Sequence, residues 1–150
     1  MAHSLAKMYV HVVFSTKHRL PVLLEEWRGQ LFGVFIGIAR HIGCPALAVG
    51  GVADHVHLLL LWSRTISVAE GVGKIKSATS AWLNKSGRLP AAFHWQNGYG
   101  AFSIGQSEVR GITEYIRKQP EHHRTQSFEN ELREWLRRYE IEWDERYVWD

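Results

Sequence analysis

Gly50-Gly51-Val52-Ala53-Asp54-His55-Val56-His57-Leu58-Leu59-Leu60-Leu61-Trp62 reads as a turn that delivers the chain into a buried strand. Glycine and aspartate punctuate the start, and a short apolar run bounded by turn residues is the pattern of a buried strand. That run, Leu58 to Trp62, is also the longest wholly apolar stretch in the chain. It is far short of the ~20 residues that span a bilayer. Working back towards the N-terminus, Ala46 to Val52 is small and apolar and reads as a preceding strand. Leu23 to Ile42 carries Trp27, Leu31, Val34, Phe35, Ile38 and Ile42 at helical spacing and stops at Gly43 and Pro45. Tyr9 to Phe14, β-branched and aromatic, is the first strand.

Working forward, Ser67 with Glu70 three residues on has the form of a capping box. The helix it opens runs through Ile75 and Trp82 to Ser86-Gly87. Gly98 to Ile104 is a glycine-interrupted fourth strand, and a helix starting at Ser107 places Ile112, Tyr115 and Ile116 on one stripe before Pro120. Phe128 to Tyr139 is a last amphipathic helix. The order βαββαβ with helices appended predicts an α+β fold, a ferredoxin-like antiparallel sheet with helices on one face. The other face is then free for a ligand or a second subunit.

Composition narrows the class. The 150 residues suit one domain, 1–150, and seven Trp, six Phe and five Tyr exclude a disordered chain. A single cysteine, Cys44, excludes an internal disulfide framework and any multi-cysteine zinc site. With no signal-peptide pattern in Met1 to Ser15, the expected location is cytoplasmic. Residues 1–107 hold ten Lys and Arg against four Asp and Glu, whereas 108–150 hold eight against eleven. A basic body with an acidic tail suits a polyanionic partner on one face, although an ordinary soluble surface reads the same way.

His55 and His57, two apart on a strand, leave the same face, and paired neutral imidazoles on a rigid strand suit a divalent metal. Two hydrogen-bonded histidines beside a turn would look identical. Tyr115 and Gln119 lie one helical turn apart. A tyrosine hydroxyl is a usable nucleophile where a metal polarises the group attacked, and Gln119 offers an amide oxygen to that metal. A core aromatic would account for Tyr115 equally. Pro120 disfavours α geometry at Gln119, so His122 or His123 is an alternative third ligand. Lys17, His18, Arg19, Lys74, Lys76 and Lys85 are candidate phosphate contacts, with Trp95 and Tyr99 as candidate base-stacking rings. His11, inside the first strand, reads as a satisfied core histidine.

The chain resembles the single-tyrosine HUH transposases of small bacterial insertion sequences. The resemblance is carried by Tyr9–Arg19 (YVHVVFSTKHR), Asp54–Leu60 (DHVHLLL), Phe93–Ser103 (FHWQNGYGAFS), Tyr115–Arg124 (YIRKQPEHHR) and the close, Ile141–Asp150. It implies that His55, His57 and Gln119 hold one Mg²⁺ or Mn²⁺. It implies that Tyr115, on the C-terminal helices, attacks single-stranded DNA with hairpin ends, leaving a 5′-phosphotyrosine and a free 3′-hydroxyl. It implies a homodimer in which the tyrosine helix can complete the partner's site in trans. Two other readings stay open: a domesticated relative acting on chromosomal repeat hairpins, and a non-catalytic ferredoxin-like nucleic-acid-binding module. Against the module, the third strand offers His-Val-His where an RNA-binding sheet presents stacking aromatics.

Overall fold

The computed structural model describes residues 4–150. Its strands are β1 (Met8–Ser15), β2 (Ala46–Gly51), β3 (His55–Trp62) and β4 (Gly100–Ile104), with helices α1 (Glu25–His41), α2 (Val68–Lys85), α3 (Val109–Arg117), α4 (Gln119–His122) and α5 (Phe128–Arg138). The strands form one antiparallel sheet in the order β2-β3-β1-β4. The expected βαββαβ order is therefore present. The capping expectation at Ser67 is met through its side chain, which accepts from the Glu70 amide.

Alternation along β1 and β3 sends residues to two different cores. Val12, Phe14, Val56, Leu58, Leu60 and Trp62 join Leu31 and Phe35 of α1 and Val72 and Ile75 of α2 in one apolar cluster. Tyr9, Val13 and Leu59 join Ile112 and Ile116 of α3 and Leu132, Trp135 and Leu136 of α5 in the other. The expectation of a free sheet face is thus corrected. The short amphipathic segments after β4 fold back and cover it. Gly50 permits this, because a Cβ there would collide with the Ile116 carbonyl oxygen where α3 crosses β2.

The helix carrying Tyr115 breaks at Lys118, the residue before Gln119-Pro120, and resumes as the single turn α4. The disturbance expected at Gln119 falls one residue earlier: Gln119 keeps helical geometry, opens α4 with Pro120 in its first turn, and meets His55 at the start of β3. Ser127 then caps α5 by accepting from the Asn130 amide. The tail returns across the molecule, where Gly98 donates to the Asp150 carbonyl at 3.0 Å. Among the described residues no helix is long and apolar enough to cross a membrane.

Candidate active site

His11, His55 and His57 stand on the face of β1 and β3 that α3 and α5 cover, and each is fully buried. Burying three imidazoles requires partners for their nitrogens. The partners come from the C-terminal segments. Gln119 opens α4, His123 follows it, and Glu131 projects from the first turn of α5; Gln119 and Glu131 are buried and His123 nearly so.

These groups converge on the Glu131 carboxylate. Its Oε1 lies 2.9 Å from His57 Nε2 and 3.3 Å from His55 Nε2. Its Oε2 lies 3.2 Å from His123 Nε2, accepts from Gln119 Nε2 at 3.0 Å, and accepts the hydroxyl proton of Tyr115. His55 Nε2 is also 3.2 Å from Gln119 Oε1 and 3.1 Å from His123 Nε2. Trp135 Nε1 donates to the Tyr115 hydroxyl at 3.3 Å, fixing the ring from its other side.

The histidines share one arrangement. His55 Nδ1 meets Asp54 Oδ1 at 2.7 Å, His123 Nδ1 donates to the Gln126 carbonyl at 2.6 Å, and His57 Nδ1 meets His11 Nε2 at 2.8 Å. Every Nδ1 is tied outward and every Nε2 faces inward. That is how ligating histidines are commonly oriented. Ligand atoms from His55, His57, His123 and Glu131 lie within 4.8 Å of one another. Donors each about 2.1 Å from one centre are spread over a similar span. Imidazole nitrogens with carboxylate and amide oxygens make a donor set that fits a divalent cation.

The electrostatics follow from burial and crowding. Burial opposes charge on His55, but hydrogen bonds and charges from Asp54 and Glu131 outweigh it and lift its pKa to about 9. Burial lowers the pKa of His57 and, more strongly, of His11. Glu131, despite its own burial, is held well below the usual carboxylate range by the surrounding histidines. Tyr115 is pushed well above the ordinary tyrosine value by burial and by the adjacent carboxylate, so it rests as the phenol.

Of the residues singled out from sequence, His55, His57, Gln119, Tyr115 and His123 are brought together. His122 is not; its ring stacks obliquely on Tyr115 at 4.7 Å. The candidate DNA contacts lie elsewhere. Lys17 and Arg19 form a tight turn after β1, where His18 and Arg19 adopt left-handed backbone angles. Arg19 is committed to Glu129 at 3.5 Å and to the Trp149 carbonyl. Lys74 is exposed and pairs with Glu70 at 3.3 Å. Lys76 donates to the carbonyls of Gln96, Asn97 and Gly98, and burial lowers its pKa to about 8. Tyr99 is exposed. The stacking expectation for Trp95 is corrected: its ring packs against Phe14, Phe35 and Phe93, and its Nε1 donates to Thr79. A tryptophan is a large apolar ring, and burying it in the core removes more apolar area from water than leaving it on the surface. His11 is corrected too, since its Nδ1 is the one buried side-chain nitrogen or oxygen among the described residues without a hydrogen-bond partner.

Sequence reasoning missed Glu131. Its signal was present: Phe128, Leu132, Trp135 and Leu136 form the buried stripe of α5, and Glu131 sits inside that stripe. A carboxylate on an apolar helix face demands buried partners.

The family profile described as "Transposase IS200 like" matches residues 4–119. The transposase for insertion sequence element IS200 of Salmonella typhimurium is 26% identical over 126 residues, covering 81% of this chain and 82% of that protein. The ISDra2 transposase TnpA of Deinococcus radiodurans is 25% identical over 114 residues, covering 73% and 81%. Among solved structures, a crystal structure described as a candidate transposase from Deinococcus radiodurans aligns with a TM-score of 0.64 at 23% identity, over 79% of this chain and 95% of that one. A REP-associated tyrosine transposase bound to a REP hairpin aligns with a TM-score of 0.59 at 17% identity, over 82% and 73%. Both share the fold.

Proposed function

The chain belongs to the family of IS200-like transposases, and from that premise we propose that it is a metal-dependent, single-tyrosine enzyme of the HUH class. It cleaves and rejoins single-stranded DNA with hairpin ends, working as one domain over residues 1–150. The observation that supports this reading best is that the Tyr115 hydroxyl and the inward nitrogens of His55 and His57 meet the same Glu131 carboxylate. A nucleophile and a ligand cluster sharing one buried group are close enough to act on one phosphate.

Tyr115 attacks phosphorus, the bond to the 3′-oxygen breaks, the phenolic proton ends on the departing 3′-oxygen as its hydroxyl, and the 5′-phosphate remains on the tyrosine. Trp135 and Glu131 hold the hydroxyl in place, and Glu131 accepts its hydrogen bond. Reversal by a second 3′-hydroxyl joins strands without ATP, because the phosphotyrosine conserves the bond energy. His55, His57 and Gln119, with His123 and Glu131 beside them, would hold Mg²⁺ or Mn²⁺. When bound, the cation offsets charge on the phosphate and on Glu131. The protein works as a homodimer in which the tyrosine helix can complete the site of its own chain, where Tyr115 meets Glu131, or that of the partner in trans. Lys17, Lys74 and Tyr99 remain the proposed surface contacts to DNA.

The test is incubation with labelled single strands from the DNA flanking its own gene. A protein-linked band should form in Mg²⁺ and be absent in EDTA. A band that persists in EDTA would refute metal dependence. Hairpin binding without adduct in any divalent cation would favour the non-catalytic module.

A further inference from the structure

His11 is the residue whose situation the reading above leaves unexplained. It is fully buried in β1, opposite Leu59, and so sits diagonally across from His57 on the same sheet face. Trp135 lies edge-on to its ring at 4.8 Å and Phe102 at 6.0 Å. Its Nε2 meets His57 Nδ1 at 2.8 Å, while its Nδ1 has no partner. An apolar ring would fill this pocket and remove the stranded Nδ1, but it would leave His57 Nδ1 without its partner.

The other two inward-facing histidines supply the comparison. His55 Nδ1 faces a carboxylate and His123 Nδ1 faces a backbone carbonyl. Both outer partners accept a hydrogen bond, so both rings carry a proton on Nδ1, and Nε2 is the nitrogen that ligates once it is unprotonated. His57 Nδ1 faces neither kind of group: its neighbour is His11 Nε2, and its own Nε2 lies 2.9 Å from Glu131 Oε1, so the ring's proton belongs on Nδ1 only when a cation takes the Nε2 lone pair. A neutral imidazole is donor on one nitrogen and acceptor on the other, so His11 can accept through Nε2 only with its own proton on Nδ1. The unpartnered Nδ1 is the cost of that tautomer.

We propose that His11 is a positioning residue for the metal site, accepting the Nδ1 proton of His57 so that His57 Nε2 is presented as a ligand. This rests on the metal reading above and deepens it. The role is to fix the tautomer and the ring angle of His57, and His11 touches neither metal nor DNA.

The experiment is calorimetric titration of the purified, DNA-free protein with Mn²⁺, comparing wild type, His11→Phe and His11→Gln. Phenylalanine keeps the ring and removes the acceptor, whereas glutamine restores an acceptor oxygen. His11→Phe should bind Mn²⁺ about 10–100-fold more weakly, the usual loss for an outer partner of a ligating histidine. Its melting temperature without metal should change little, since one stranded ring nitrogen replaces another, and His11→Gln should recover part of the affinity. Nitrogen-15 spectra of the wild type with Mg²⁺ should show His57 protonated at Nδ1, a measurement that needs no variant to fold. Equal Mn²⁺ affinity in wild type and His11→Phe would overturn the proposal alone, as would no recovery in His11→Gln or a His57 protonated at Nε2. Absence of any binding by the wild type would overturn the metal reading together with it.

Discussion

The two faces of the sheet use the same strands and solve opposite problems. On the α1–α2 side, Val12, Phe14, Val56, Leu58 and Leu60 pack into a core in which the strands contribute no polar side chain. On the α3–α5 side, His11, His55 and His57 share the face with Tyr9, Val13 and Leu59. The first face stabilises by removing apolar area from water, which is insensitive to pH. The second keeps buried imidazoles only because Glu131, Asp54 and Gln126 satisfy them. One period-two alternation therefore separates the part that holds the fold from the part proposed to carry the chemistry.

The largest effect that sharpens this contrast is on the α3–α5 side. Glu131→Gln should destabilise the metal-free protein by about 3–5 kcal/mol in chemical denaturation, because the amide keeps the shape but leaves buried His55 without one of its charge partners. On the apolar face, Leu58→Ala empties a site with 0% exposure and should cost about 2–5 kcal/mol in the same measurement. The folded fraction should bind Mn²⁺ as the wild type does. A change in metal affinity would mean that the two faces are not separable.

A pH series on metal-free protein probes the other face. His55 has its pKa raised from 6.5 to about 9, so the stability it supplies is complete below pH 6.5 and is lost as pH rises towards 9. His57, with its pKa lowered, works in the opposite sense: its contribution is present above pH 6.5 and is lost as pH falls. Melting temperature should therefore peak near pH 6.5, with a high-pH limb worth at most about 3 kcal/mol. Metal affinity should rise over the same high-pH range, because ligation requires His55 unprotonated. A flat profile between pH 6.5 and 9 would break the link between His55 and Glu131.

The smallest effect is on that profile. Glu131→Gln should shift the high-pH limb downward in pH, since His55 loses one of the two carboxylates that raise its pKa. Unchanged limb position would show that Asp54 alone sustains the shift.

How much of this was legible in the sequence divides along the same line. The strands, the Ser67 cap and the Pro120 break depend on local chemistry, and each can be read from neighbouring residues. His55 and His57 announce their shared face by spacing. Glu131 lies 74 residues from His57, and in an acidic tail it looks like any other solvated carboxylate until the buried stripe of α5 is noticed. The covering of the second face was hidden for a similar reason. Nothing local to α3 says that Gly50, far earlier, leaves room for it. Trp95 and Lys76 were read by residue type, whereas their roles are set by the rings and carbonyls that tertiary packing brings to them.

The most direct test of the central claim is to locate the covalent link. Wild-type protein is incubated with Mg²⁺ and single-stranded hairpin ends, the adduct is digested, and the nucleotide-bearing peptide is identified by mass spectrometry. The mass should map to Tyr115, and Tyr115→Phe, which keeps the ring and its packing, should bind the hairpin and form no adduct. Nucleotide on any other residue, or an adduct that survives in Tyr115→Phe, would contradict the account.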